Sequence, residues 1–100
     1  MVHKPKRFKS PENLEKVRNM PCVACGKPPP NDPAHIKSRG SGGGDFLWNL
    51  MPLDRKCHSL QHSMGWFRFA LEYPAVTFWL YHHGWEIVGR RVVRARIEEF

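Results

Sequence analysis

The side chains that could do chemistry in this chain fall between residues 22 and 62. Cys22 and Cys25 stand two residues apart and are followed by Gly26. Two thiolates at that spacing can reach one tetrahedral zinc ion, and the glycine relieves the tight backbone around it. A redox C-x-x-C would open a helix, which Lys27-Pro28-Pro29-Pro30 forbids here. Cys57 supplies a third thiol. His58 and His62 are four residues apart, so on a helix both imidazoles lie on one face and can chelate one cation. Upstream, His35 sits in the short segment Ala34-His35-Ile36. Asn49 follows fourteen residues later and His58 nine after that.

The order His, Asn, His, with a hairpin first and a helix last, resembles the HNH endonucleases, and the resemblance extends from about Cys22 to Phe69. It is strongest toward small phage- and prophage-encoded members, whose cores read C-x-x-C-G, then A-H-I, then N-L-x-P-L followed by C-H. Here these are Cys22-Val23-Ala24-Cys25-Gly26, Ala34-His35-Ile36, Asn49-Leu50-Met51-Pro52-Leu53 and Cys57-His58. The resemblance implies a ββα-metal fold in which a β-hairpin and one helix grip a divalent cation. It implies that His35 is the general base that takes a proton from the attacking water, a role open to an imidazole that is neutral near pH 7. It also implies that Asn49 orients that histidine and that His58 binds the catalytic cation. The pair His58 and His62 resembles the helix of the colicin-type DNases.

Two positions depart from the family pattern. Ala34 stands immediately before His35, where relatives carry a third metal ligand. Asp32, in the turn three residues before His35, is the candidate replacement, with Asp45 a weaker one. Asp54 stands where many relatives carry a cysteine of the zinc site. A carboxylate can ligate zinc less softly than a thiolate, or Asp54 can cap the helix that follows. Histidine ligands suit transition metals and a carboxylate in the shell favours Mg²⁺ or Mn²⁺, so Mg²⁺, Mn²⁺, Ni²⁺ and Zn²⁺ are all candidate catalytic ions.

Composition sets the surroundings. Sixteen Lys and Arg against nine Asp and Glu leave a formal charge of +7, which favours a polyanionic partner, most simply DNA in duplex form, with RNA as another candidate. Lys37 and Arg39 flank the His35 segment and either hold phosphates beside the site or stand as solvated charges. Three cysteines cannot close a disulfide framework, so metal binding in a reducing compartment is the better reading. There is no apolar run long enough to span a membrane, and the basic N-terminus has no apolar signal core. The expected location is a bacterial or phage-infected cytoplasm.

One hundred residues make one domain, and a chain this short gains from a metal staple. Residues 1–9 read as a mobile basic arm. Ser10-Pro11-Glu12 is a helix start, with Leu14 and Val17 on one face and Pro21 as the stop. The segments 34–36 and 46–48 are expected to be the two strands, joined by a flexible glycine-rich connection over 38–45. A metal-bearing helix is expected from Leu53-Asp54 to about Ser63. Residues 64–100 read as a helical and basic extension. Its dense aromatics are core, His82 and His83 are surface or packing residues, and 85–100 forms either a hairpin around Gly89 or a helix from Val92.

These readings converge on an α+β domain with a ββα-metal core, one structural zinc site and flanking helices. The expected activity is metal-dependent hydrolysis of DNA phosphodiester bonds. The alternative is a non-catalytic, zinc-stabilised nucleic-acid-binding module.

Overall fold

Ser10 accepts a hydrogen bond on Oγ from the Asn13 N–H at 3.1 Å, and Pro11 occupies the first helical position. Helix α1 (Pro11–Arg18) therefore starts where the sequence places it. It buries Val17 against the hairpin that follows. The computed structural model describes residues 7–95, and beyond α1 it runs through β1 (Asp32–His35), β2 (Leu50–Leu53), α2 (Arg55–Met64), α3 (Trp66–Glu72), α4 (Pro74–His82), β3 (Trp85–Val88) and β4 (Arg91–Arg94). The two sheets are separate antiparallel pairs, β1–β2 and β3–β4, so the architecture is a small α+β fold with four helices.

The hairpin differs from the sequence reading in its second strand. Phe46-Leu47-Trp48 is not a strand. Leu47–Asn49 forms a 3₁₀ turn, and the strand is the following segment, Leu50–Leu53. The reason lies in tertiary packing. Phe46 stacks between Phe8 and Trp48, with ring centroids 4.5 and 4.8 Å away, which draws this aromatic segment out of the ladder. Pro52 hides the true strand from a propensity reading, since proline cannot donate to a ladder. The register resolves this. Pro33 lies opposite Pro52, so both missing N–H groups fall at one rung. The Pro52 carbonyl turns outward to accept the Val23 N–H at 2.9 Å, tying the Cys22–Cys25 turn to the hairpin.

The glycine segment is also not the open connection expected from its composition. Gly43 and Gly44 are buried. A Cβ on Gly43 would lie 1.8 Å from the Lys37 carbonyl oxygen, and one on Gly44 would lie 2.8 Å from the Phe46 ring. These glycines let the protein's own backbone and rings close on one another. The end of the basic arm is likewise fixed rather than mobile. Phe8 accepts the Asp45 N–H at 2.9 Å, and Arg7 pairs with Asp45 at 2.8 Å. Residues 1–6 of the arm lie outside the described residues.

Asp54 caps α2, with Oδ1 accepting the Cys57 N–H at 2.7 Å, and the helix ends at Gly65, whose φ of +80° suits glycine. Leu53, Met51, Phe69, Val76 and Leu80 are fully buried, so α3 and α4 close the core over the hairpin. Each such large side chain contributes on the order of 1.5–3 kcal/mol of burial. The C-terminal segment is a hairpin, with Trp85 opposite Arg94 and Val88 opposite Arg91. Residues 96–100 lie outside the described residues. His83 is a packing residue, stacked on Trp79 with centroids 3.8 Å apart. Among the described residues no helix is long and apolar enough to cross a membrane.

Candidate metal centres and catalytic site

The turn after α1 and the first turn of α2 bring Cys22, Cys25, Asp54 and Cys57 together, with their ligand atoms all within 4.8 Å of one another. Cys22 and Cys57 are buried and Cys25 is exposed. Four donors in this arrangement could hold one metal ion, and a three-thiolate, one-carboxylate set is compatible with zinc. Asp54 caps α2 and lies within the cluster at once. While Oδ1 caps α2, Oδ2 lies 3.5 Å from Cys25 Sγ. The hydrogen bonds from Cys57 outweigh burial and hold the Asp54 carboxyl below its ordinary value. Burial, reinforced by Asp54 and the neighbouring thiols, pushes the Cys57 thiol far up. At Cys22 burial also acts upward, but hydrogen bonds from the Asp54 and Cys25 backbone outweigh it and lower the thiol. A cation entering such a cluster displaces protons from it.

On the same helix His58 and His62 face each other, Nε2 to Nε2, at 3.2 Å. Two nitrogens about 2.0–2.1 Å from one tetrahedral ion lie roughly 3.3 Å apart, so this separation fits a shared cation. Asp32 is not a third ligand in this arrangement. Its Oδ2 meets the opposite ring nitrogen, His58 Nδ1, at 3.0 Å, and it also pairs with Arg55 at 3.1 Å. A carboxylate at Nδ1 fixes the ring and leaves the lone pair on Nε2, the outer-shell role that metal-binding histidines commonly have filled. Asp32 sits at the far end of β1, opposite Leu53, and so meets the His58 ring on its Nδ1 side. Among the described residues, the cysteine cluster is the one group of three or more donors close enough for a single ion.

His35 lies at the end of β1 with its Nε2 2.7 Å from Asp45 Oδ1. Burial raises the Asp45 carboxyl, but hydrogen bonds from His35, the Ser10 N–H and Arg7 outweigh it and hold it at about 2. Asp45 is therefore ionised at neutral pH and can only accept, so Nε2 of His35 carries the hydrogen. In the neutral ring the free lone pair then belongs to Nδ1, which has no hydrogen-bond partner among the described residues.

Asn49 is fully buried, and its side chain makes no hydrogen bond to an imidazole among the described residues. Its Oδ1 accepts the Lys37 N–H at 2.8 Å, and its Nδ2 donates to the carbonyls of Lys37 at 3.1 Å and Gly44 at 2.9 Å. It thereby clasps the segment leaving His35 to the segment entering Asp45, and so sets the distance between those two side chains. Asp45 and Arg7 are the residues the sequence reading undervalued. In sequence Asp45 is a carboxylate at the end of a glycine run and a weaker candidate metal ligand, but its oxygens are taken by His35, Ser10 and Arg7, and no local spacing links it to them.

His35, His58 and His62 line one cavity of about 480 Å³, with Arg39 on its rim. Lys37 is exposed and lines a second, adjoining groove that shares His35 and His62. Both cations expected beside the site are thus near it. Comparison with protein-family models, with curated proteins and with solved structures finds no match for this chain.

Proposed function

We propose that this protein is a metal-dependent endonuclease of the HNH type that hydrolyses phosphodiester bonds in DNA. The observation that carries the reading is the convergence of His35, His58 and His62 on one cavity, with the His35 ring held from behind by an ionised carboxylate. Such a ring is prepared to accept a proton on Nδ1 from water in line with a scissile phosphorus. Asp45 then stabilises the imidazolium that forms, as an orienting carboxylate does for other catalytic histidines. His58, steadied by Asp32, and His62 would hold a divalent cation, Mg²⁺, Mn²⁺, Ni²⁺ or Zn²⁺. Bound there, it supplies positive charge against the phosphoryl oxygens as negative charge develops. Arg39 and Lys37 would hold neighbouring phosphates. Zinc in the Cys22, Cys25, Asp54 and Cys57 cluster would pin α2 to the turn preceding the hairpin, so that His58, next to Cys57, keeps its place relative to His35.

Ala34 favours a second reading, a zinc-stabilised DNA-binding module without catalysis, because two imidazoles without a third protein ligand make a sparse catalytic shell. Incubating the purified protein with supercoiled plasmid and a panel of divalent ions separates the two. Cation-dependent nicking or linearisation that His35→Ala abolishes supports the nuclease. A folded, zinc-loaded protein that binds the plasmid and cuts it with no cation overturns it.

A further inference from the structure

The second groove begins at His35 and His62 and runs to the β3–β4 hairpin, with a volume of about 760 Å³. That lies within the roughly 300–1,000 Å³ range of sites that enclose small organic ligands, the size class of one nucleotide. Its lining joins the imidazoles of the candidate catalytic site, His35 and His62, to indole rings and guanidinium groups from Trp48, Trp66, Trp85, Arg91 and Arg94. None of its lining residues carries a carboxylate.

The wall is fixed in advance, and Trp66 is its accessible indole, because Trp48 stacks on Phe46 and carries Arg94 over its ring while Trp85 is buried. Trp85 donates from Nε1 to the Trp48 carbonyl at 2.6 Å. The Arg94 guanidinium lies over Trp48, 3.8 Å from the ring centre, and its Nη1 donates to the His83 carbonyl. Gly84 makes room for this, since a Cβ there would lie 2.8 Å from Arg94 Nη1. Trp66 opens α3 at the groove and is half-buried, packed edge-on against Phe69. Arg91 is exposed and pairs with no carboxylate among the described residues.

We propose that this groove seats an unpaired nucleotide of the strand to be cut, so that the preferred substrate is DNA with a single-stranded segment rather than an uninterrupted duplex. The proposal rests on the nuclease reading above. In a duplex both faces of each base are covered by its neighbours, and only the edges are offered in the grooves. Indole and guanidinium planes gain their contact energy from base faces, which only an unstacked nucleotide presents. A groove that brings the half-buried Trp66 ring and the exposed Arg91 guanidinium together with His35 and His62 therefore suits a base splayed out beside the phosphate that His35 addresses.

The test is fluorescence anisotropy with no divalent ion added, so that binding is read without cleavage. A labelled DNA strand of about 12 nucleotides, within the usual site size of single-strand-binding modules, is compared with its duplex and with RNA of the same sequence. The DNA single strand should bind about tenfold or more tighter than the duplex. Trp66→Ala should weaken single-strand binding by roughly 5- to 150-fold, the loss expected for one stacked base, and leave duplex binding unchanged. Trp66→Phe should restore most of the loss. Arg91→Ala, at an exposed position that the fold does not need, should weaken single-strand binding more than duplex binding. Equal affinity for single strand and duplex, equal loss on both in Trp66→Ala or Arg91→Ala, or tighter binding of RNA would each overturn the proposal. Plasmid cleavage without single-strand preference would refute the groove alone, and single-strand preference without cleavage by any cation would refute the nuclease alone.

Discussion

Asp45 grips His35 through Nε2 at 2.7 Å from across the glycine segment, ten residues further along the chain. If that contact positions the base, His35→Ala should lower plasmid cleavage by roughly 10²–10⁴-fold. Asp45→Asn should lower kcat with KM little changed, because the amide no longer fixes the ring or stabilises its protonated form. Asp45→Glu should recover part of the loss. A Asp45→Asn protein with unchanged kcat would remove Asp45 from the mechanism and leave it a structural residue.

The same carboxylate makes stability depend on acid. Its value is depressed from 3.8 to about 2, so its contribution is present in full above pH 4 or so and is lost as pH falls through 2. A difference of that size is worth about 2 kcal/mol. Urea denaturation should find the unmutated protein more stable than Asp45→Asn by about that amount at pH 6, with the gap closing between pH 4 and pH 2. A gap that stays constant with pH would mean that Asp45 is not ionised against its partners.

Neighbouring glycines should answer differently to alanine. Gly42 has a φ of +84° and open space around its Cβ position, so Gly42→Ala should cost about 1 kcal/mol, the backbone penalty alone. At Gly43 a Cβ would sit 1.8 Å from the Lys37 carbonyl oxygen. Gly43→Ala must therefore displace the chain next to His35 and should lose cleavage together with several degrees of melting temperature. Thermal melts of both variants, run side by side, decide the point.

The two jobs of Asp54 can be pulled apart. Asp54→Asn keeps an oxygen for the Cys57 N–H and so keeps the cap, but it removes the charge from the cluster. Asp54→Ala loses both, and the missing cap should cost about 1 kcal/mol more. Elemental analysis should find close to one zinc per chain in the unmutated protein, less in either variant, and least in Cys22→Ser. A strong chelator should lower the melting temperature of the unmutated protein and leave that of Cys22→Ser where it is. Full zinc occupancy in Cys22→Ser would exclude the cluster as the binding site.

Much of this was readable from local signals. Ser10-Pro11, the C-x-x-C-G turn and Asp54 ahead of α2 mark a helix start, a thiol pair and a helix cap within a few residues, and the i, i+4 spacing sets His58 and His62 side by side. What could not be read depended on partners distant in the chain. Phe46-Leu47-Trp48 has strand composition, but rings from Phe8 and Trp85 claim it. Leu50–Leu53 is a strand despite Pro52 because Pro33 faces it. Asp32 has the chemistry of a ligand, and only the register of β1 on β2 turns it to the back of His58. Asp45 acquires its role from Arg7, Ser10 and His35, to which no short-range pattern connects it. The 85–95 hairpin was one of two readings, and Gly89, at φ +62°, supports the turn between its strands.

The Asn49 clasp has an engineering consequence. It joins Lys37 to Gly44 through one buried amide, so the short 3₁₀ turn over Arg39–Ser41, held by its own hydrogen bonds, lies outside a closed ring whose two ends are already tied. The length of that outer stretch is then mechanically uncoupled from the spacing of His35 and Asp45, and chain-closure cost grows only slowly with added residues. A Gly-Ser-Gly-Ser insertion between Gly40 and Ser41 should leave the melting temperature within a few degrees of the original, whereas the same insertion between Gly43 and Gly44 should not fold. The outer stretch, on the rim of the histidine cavity and carrying Arg39, is thus the part of the molecule where new contacts to a target strand can be grafted without resetting the chemistry.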